Sequence, residues 1–508
     1  MRVFIDCVDV VISNDMKVLS DNKSNSSLND LGKCVCRIRC DSKTFDPAQP
    51  YINTNDGFGT GTGFLVEDDN NNFYIFTAHH VISNNVDIGV YFDAISQGER
   101  FKVDVLGYNP YLDVAILKLK IDTMEDDQYN IIKNIPKFKI GNSDYIRQGD
   151  KITALGYALG APHLQISAGI ISGRIFEPNR LQTDAQINKG NSGGPIVNSN
   201  NEVIGLVTSG VMFAHGISYA TPFKEIKVLQ ERISNCSSYP CKDIGFSFNC
   251  VFRPISQDSL YLKTFNGKCK SGILVAGVHK NSKTLLKKGD ILCSIKEPSG
   301  DVFYDIDMHG NIDIKSIWSD TKLNFKVLLD RIEHSNNLSL TVKVYRPSVK
   351  DCIILETPVE ESMFEYKEMF PDTVPVKYFS DGGIVLQMLN EELIMYTSLG
   401  SNYIKSPEVE MYSSVIITHL IGGSPFSKSD ILKTGQAISS MIDSDGNETQ
   451  IESLEDVQRV WKSSSASGVI TLCLRNGSLV SATVDEIKSF NESVSDNKKN
   501  GLKCNYFP

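Results

Sequence analysis

The sequence predicts a mainly β protein: a barrel or sandwich of short strands followed by two small α+β modules. Three observations carry that prediction. The chain has 508 residues, too many for one hydrophobic core and enough for about three to four domains. Between residues 33 and 221 it alternates short β-rich runs with turn residues, the spacing of a sandwich or barrel. Beyond residue 240, strand-like runs are interleaved with helical ones.

The first-domain runs are Gly63 to Val66, Phe73 to Thr77, Val86 to Phe92, Lys102 to Leu106, Val114 to Leu119, Lys151 to Leu155 and Val203 to Val207. Pro222 then opens a helix, where its missing N–H is no loss, and Phe223, Ile226, Leu229 and Ile233 share one face. The Asn235 to Pro240 segment ends that helix, which sets the first domain at 33–235. A second unit, 242–348, begins with Ile244-Gly-Phe-Ser-Phe248, contains Lys288-Gly-Asp-Ile-Leu292 and closes with the run Leu338 to Tyr345. A third, 351–490, holds Gly382 to Leu386, Ser414 to Thr418, a helical Leu454 to Trp461 and a last strand Val469 to Leu474. Residues 1–32 are a lead-in, rich in Ser, Asn and Asp from residue 13 onward, and 491–508 are a polar, mobile tail.

Hydrophobic residues at 41% and charged residues at 22% are those of ordinary globular protein, so most of the chain folds. A net charge of -10 repels a phosphate backbone, and the one small basic cluster, Lys498, Lys499 and Lys503, sits in the tail; no nucleic-acid partner is expected. Asp6 and Asp9 interrupt the apolar residues of Met1 to Ile12, which reads as a strand rather than an export signal. No stretch approaches the roughly 18 uncharged residues needed to cross a bilayer, so a soluble, intracellular protein is expected. Its twelve scattered cysteines are then expected as reduced thiols. Cys34, Cys36, Ile38 and Cys40 share one strand parity and Val35, Arg37 and Arg39 the other, the pattern of a half-buried strand rather than a metal site.

The strongest chemical signal is Gly190-Asn-Ser-Gly-Gly-Pro195. A nucleophilic serine needs a tight turn that exposes its hydroxyl and aims backbone N–H groups at the developing oxyanion, and glycines on both sides permit one. Ser192 is then the nucleophile, with the N–H groups of Gly190 and Ser192 as the oxyanion hole. Taken alone, the same residues also suit a glycine-rich hairpin. Serine chemistry further needs a general base and an acid to orient it. Phe76-Thr-Ala-His-His-Val-Ile82 places histidines at the end of an apolar strand, and Tyr111-Leu-Asp-Val-Ala-Ile-Leu117 sets Asp113 before a strand whose burial makes an unpaired carboxylate costly. The glycine run Gly59 to Gly63 leads into the strand Phe64 to Val66 and not into a helix, which excludes a dinucleotide loop. Asp443 to Glu448 lacks the glycine at the sixth position of a calcium-binding EF-hand loop and reads as a polar hairpin turn.

These stretches closely resemble the trypsin-like proteases of the HtrA/Deg family, and the three-part layout resembles Deg proteases with two PDZ-type modules. The resemblance runs over roughly residues 33 to 490. It rests on Gly59-Thr-Gly-Thr-Gly-Phe-Leu-Val66, Thr77-Ala-His-His-Val-Ile82, Asp113-Val-Ala-Ile-Leu117, Gln182 to Pro195 and Val203-Ile-Gly-Leu206. The family's histidine is followed by Val, as is His80, so His80, Asp113 and Ser192 are the expected triad and His79 a neighbour. The resemblance implies a trypsin-like double β-barrel with the triad between the barrels, no metal or cofactor, and homo-oligomers. It also implies loops, at about 174–181 and 207–216, that open and close the site. Ile187 and Ile217 match the wall of the pocket for the residue before the cleaved bond. Both are apolar, which implies Val, Leu, Ile or Ala there rather than Lys or Arg. Ile244, Gly245, Phe246 and Ser247 match the loop and strand by which a PDZ domain captures a peptide C-terminus. In the third unit Lys433 to Ile438 replaces the expected Gly-Asp pair, which points to docking or assembly. The implied activity is ATP-independent endopeptidase action on unfolded or partly folded proteins. Two rival readings are a catalytically silent PDZ scaffold, against which the intact triad speaks, and a chaperone-like binder whose protease is switched off.

Overall fold

The computed structural model describes residues 27–44, 48–49, 55–67, 73–83, 85–93, 98–176, 179–210, 216–255, 271–296, 301–314, 322–332, 338–363, 377–389, 393, 414–464 and 468–496. The expectations for Met1 to Ile12 and for the basic cluster at Lys498 lie outside them. The described chain is mainly β and falls into two compact units, one built on 1–42 and 58–362, the other on 43–57 and 363–508.

The first unit opens on a helix, Leu28–Leu31, capped by the Ser27 hydroxyl, which accepts from the Asp30 N–H at 3.2 Å. This corrects the lead-in expected over residues 1–32, whose end is helical with Leu31 buried in the core of the first barrel. A seven-stranded barrel follows, in the order Cys241–Lys242, Val103–Asn109, Val114–Leu119, Phe73–Thr77, Asn55–Glu67, Val35–Thr44 and Asn85–Tyr91, with a bridge from Val90 to Phe101 joining its far ends. Cys34, Cys36, Ile38 and Cys40 face its core as the alternation predicts. Val35 is buried too, and its carbonyl accepts from the Tyr157 hydroxyl at 3.4 Å. A second seven-stranded sheet closes on itself because Pro195–Asn198 pairs with both Lys151–Gly156 and Glu202–Gly210. The helix Phe223–Ser234 then packs back onto the first barrel, its Phe223 ring 5.7 Å from Phe76 and 6.4 Å from Phe64.

Only after the strand Cys241–Lys242, paired in parallel with Gly107 and Tyr108, does the chain leave the first barrel. A disulfide joins Cys236 at the helix end to Cys241, their Cα atoms 6.1 Å apart, and Cys293 is disulfide-bonded as well. The expectation of reduced thiols is corrected at these positions. It rested on scattered spacing and on the intracellular location expected from the sequence, neither of which reveals that the turn after the helix brings two cysteines within bridging reach.

The module that follows carries the sheet order Cys250–Arg253, Ile273–Val278, Ile291–Lys296, Ser339–Arg346 and Asp351–Pro358. The last two strands pair residue for residue from Ser339↔Pro358 to Arg346↔Asp351. The expected boundary between 348 and 351 is therefore the turn of a hairpin, and the second unit extends to about Ser362. One apolar core runs from Ile152, Ile171 and Ile204 of the second barrel into Val275, Ile295 and Val342 of the module. A buried polar joint accompanies it. Arg331 donates two hydrogen bonds to Asp144, at 3.0 and 2.7 Å, and two to Glu225 Oε1, at 3.2 and 2.8 Å. The Glu225 side chain has no exposed surface, so removal of Arg331 leaves its buried charge with only Arg174, 3.8 Å away, and the Asn179 amide. Arg331→Ala is expected to lower the stability of this unit by about 3 kcal/mol, read as a lower urea midpoint, with Arg331→Lys restoring only part of it because the fork is lost. An unchanged midpoint would show that the joint contributes nothing.

The second compact unit holds a sheet of Tyr378–Asp381, Ile384–Met388 and Val415–Leu420, and another of Glu448–Gln450, Ile438–Ile442, Val469–Leu474 and Leu479–Thr483. Trp461, on the helix Leu454–Ser463, donates its indole N–H to Asp381 at 2.8 Å and meets Phe379 edge-on at 4.9 Å. Gln436 repeats a device of the first module. In one, the Lys287 N–H donates to Asp290 and the Gly289 N–H to the Val275 carbonyl, both at 2.9 Å; in the other, Lys433 donates to Gln436 and Gly435 to Ile417, both at 2.7 Å. An amide oxygen thus closes the same turn that a carboxylate closes. Asp443 to Glu448 is the hairpin turn between Ile438–Ile442 and Glu448–Gln450, as expected. The chain continues into a helix, Val484–Asp496, which corrects the tail expected from residue 491 as far as residue 496.

Candidate active site

The strand Phe73–Thr77 is buried along its whole length and pairs Thr77 with Ala115 of Val114–Leu119. Past this register point the two strands deliver His80 and Asp113 to the same end of the first barrel. The Asp113 carboxylate accepts from the His80 backbone N–H at 2.9 Å and from its ring Nδ1 at 2.8 Å. Burial pushes the His80 imidazole toward its neutral form, but the Asp113 charge and its hydrogen bond outweigh this and hold the His80 pKa above the ordinary histidine value. With Nδ1 turned to the carboxylate, Nε2 is the nitrogen left to exchange a proton with a reacting group.

Asp113 has φ 51°, the left-handed region that a non-glycine residue occupies only when its surroundings impose it. Four hydrogen bonds do so. Asp113 N–H donates to the Pro110 carbonyl at 3.1 Å, Leu112 N–H to the Asn109 side chain at 2.7 Å, the Thr221 hydroxyl to the Leu112 carbonyl at 2.7 Å, and the buried Arg180 guanidinium to the Tyr111 carbonyl at 2.8 Å. Two of these donors belong to the second barrel. Sequence reading does not single out Arg180 or Thr221, because neither lies near Asp113 in sequence; Asn109-Pro110 is visible only as a turn signal.

Ser192 stands between Gly190 at φ 100° and Gly193 at φ 86°. A Cβ on Gly193 would lie 2.1 Å from the Thr62 carbonyl and 2.8 Å from the Ala78 nitrogen, so only glycine lets the turn close on the residues that lead into His80. The Ser192 hydroxyl is 3.3 Å from the Thr208 carbonyl, a long contact that fixes it weakly. Thr183 pairs with Ser218, whose hydroxyl donates to the Ala185 carbonyl at 3.2 Å, which sets the segments bearing Ile187 and Ile217 side by side; both side chains are half-buried.

Of the loop expected at 174–181, Phe176 pairs with Asn179 in a strand ladder and Asn179 is held by Arg174 and Glu225 at 2.6 Å each, while residues 177 and 178 lie outside the described residues. Of the loop at 207–216, residues 211–215 lie outside the described residues. Phe246–Ser247 is already paired with Glu360–Glu361 of the same chain, and the Gly245 carbonyl accepts from Ser362 N–H at 3.0 Å. Of the strand expected to capture a peptide C-terminus through Ile244, Gly245, Phe246 and Ser247, one edge is thus taken by the chain itself, which limits an extended peptide to the other.

The trypsin-like peptidase domain family matches residues 61–206, the span that contains His80, Asp113 and Ser192, the expected triad. Over this span the chain is similar to serine proteases of the HtrA/Deg type. A probable periplasmic DegP-like serine endoprotease of Rickettsia prowazekii (strain Madrid E) is 29% identical to it over 56% of this chain and 52% of the relative. Another of the same description from Chlamydia pneumoniae is 35% identical over 32% of each chain, and the serine protease Do-like HtrA of Bacillus subtilis (strain 168) is 23% identical over 64% of this chain and 75% of the relative. The chain thus spans about half the length of the DegP-like relative from Rickettsia. The names of these HtrA/Deg relatives overturn the intracellular location expected from the sequence, since several are periplasmic proteins. Among the described residues, no helix is long and apolar enough to cross a membrane.

Proposed function

We propose that this chain is an ATP-independent serine endopeptidase acting outside the cytoplasm on unfolded or partly folded proteins. The observation that carries the reading is the His80–Asp113 pair at 2.8 Å beside a glycine-flanked serine turn. Ser192 Oγ attacks the scissile carbonyl while His80 Nε2 takes its proton. Asp113 fixes the tautomer and stabilises the imidazolium, and the N–H groups of Gly190 and Ser192 hold the oxyanion. Collapse of the tetrahedral intermediate passes the proton to the leaving amine, and water repeats the sequence on the acyl-enzyme. The Cys236–Cys241 disulfide supports an oxidising compartment. The modules after residue 242 would serve substrate handling, regulation or homo-oligomeric assembly. The silent-scaffold reading gains no support from relatives named as endoproteases.

Labelling with a fluorophosphonate, followed by peptide mass spectrometry, tests the mechanism: Ser192 is the expected site, and label on another serine refutes it. Specificity follows from the pocket. Burying a charged side chain against Ile187 and Ile217 costs more than the pocket returns, so a peptide library is expected to show Val and Leu before the cleaved bond favoured over Lys and Asp by at least about tenfold. Dominant cleavage after Lys or Arg would contradict the pocket assignment.

A further inference from the structure

Thr62 lies on the strand Asn55–Glu67 of the first barrel with no exposed surface. All its polar atoms engage the nucleophile turn or the residues that support it. Its hydroxyl donates to the Gly190 carbonyl at 2.6 Å and accepts from the Tyr157 N–H at 2.9 Å. Its N–H donates to the Ser192 carbonyl, and its own carbonyl accepts from the Thr77 hydroxyl, both at 2.8 Å. The direction of the side-chain bonds is forced, because a carbonyl only accepts, an amide N–H only donates, and a hydroxyl carries one proton.

The peptide planes of the turn are anchored one by one. The Lys189 carbonyl accepts from Leu159 N–H at 2.5 Å, the Gly190 carbonyl from Thr62, and the Asn191 carbonyl from Gly194 N–H at 3.0 Å. A trans peptide points its N–H opposite its carbonyl, so the outer two anchors aim the Gly190 and Ser192 N–H groups, and Thr62 fixes the plane between them. A glycine at φ 100° has little intrinsic preference for that arrangement. An outside anchor must supply it, and this one reaches across from the other barrel.

We propose that Thr62 is a positioning residue that holds the oxyanion turn in its competent arrangement; the proposal rests on the endopeptidase reading. It is tested in the full chain with Thr62→Val, nearly isosteric but without the hydroxyl, and Thr62→Ser, which keeps it. Three quantities are measured: kcat and KM on a peptide substrate, affinity for a peptide aldehyde that forms a tetrahedral adduct, and affinity for the uncleaved product peptide. Thr62→Val is expected to lose about 10- to 100-fold in kcat with KM nearly unchanged, because a misaimed donor fails mainly in the transition state. Aldehyde affinity falls in the same proportion, product affinity does not, and Thr62→Ser stays within about threefold of wild type. A Thr62→Val kcat equal to wild type, or a loss that Thr62→Ser shares in full, overturns the proposal. Should Thr62→Val fail to fold, Thr62→Cys, a weak donor of similar size, is expected between the two, and full activity in it is equally decisive. A wild type that neither labels at Ser192 nor cleaves overturns the endopeptidase reading and this proposal with it, whereas an active wild type beside an unaffected Thr62→Val overturns the proposal alone.

Discussion

Ser192→Ala is expected to reduce casein cleavage by about 10⁶-fold and to leave the thermal melt almost unchanged. The two halves of that result have separate causes. Activity goes because no other atom supplies the nucleophile, and what remains is the small rate that an oxyanion hole and substrate binding give to water. Stability stays because the hydroxyl makes only a long contact, 3.3 Å to the Thr208 carbonyl, while the turn is held by backbone bonds that alanine keeps. Among these are Thr62 N–H to the Ser192 carbonyl at 2.8 Å and Gly193 N–H to the Val207 carbonyl at 2.7 Å. A melt lowered by several degrees would mean that the serine side chain is part of the packing, and cleavage that persists would refute the nucleophile.

Asp113→Asn is expected to lower kcat by about 10⁴-fold, the size of effect that the same change produces in trypsin. His80→Ala is expected to lose at least as much, since it removes the proposed general base. The pH profile separates the roles. The base works only when neutral, so kcat/KM of the wild type falls as the pH drops through the His80 pKa, which the carboxylate holds above the ordinary histidine value. In Asp113→Asn the raising influence is gone while burial remains, so the acid limb moves to lower pH as the overall rate falls. An acid limb that stays in place would mean that another group controls it. His79→Ala is the contrasting case. His79 is buried and stacked on Tyr108 with ring centres 4.6 Å apart, so its loss is expected to cost roughly 1–3 kcal/mol of stability while the catalytic groups keep their geometry. If His79→Ala is instead the inactive enzyme with an unchanged melt, the register of Thr77 to Ile82 is displaced by one residue.

The mainly β class and the residue types of the site were legible in the amino-acid sequence, because both are local properties. Alternation and turn residues mark strands over five or six positions, as at Phe73 to Thr77, and a glycine-flanked serine declares a tight turn within six residues. What lay at a distance was hidden. Nothing near residue 62 indicates that its hydroxyl will meet Gly190, or near residue 180 that a buried guanidinium will brace the turn carrying Asp113, because these contacts join two barrels whose packing no local pattern encodes. The same limit explains the corrections. Residue spacing alone did not reveal the Cys236–Cys241 bridge, the hairpin that carries the second unit past residue 351, or the pairing of Phe246–Ser247 with Glu360–Glu361. Residue chemistry was legible one segment at a time; tertiary structure alone decided which segments close on one another, since hydrogen bonds and apolar contacts depend on distances in space that the chain sets only when it folds.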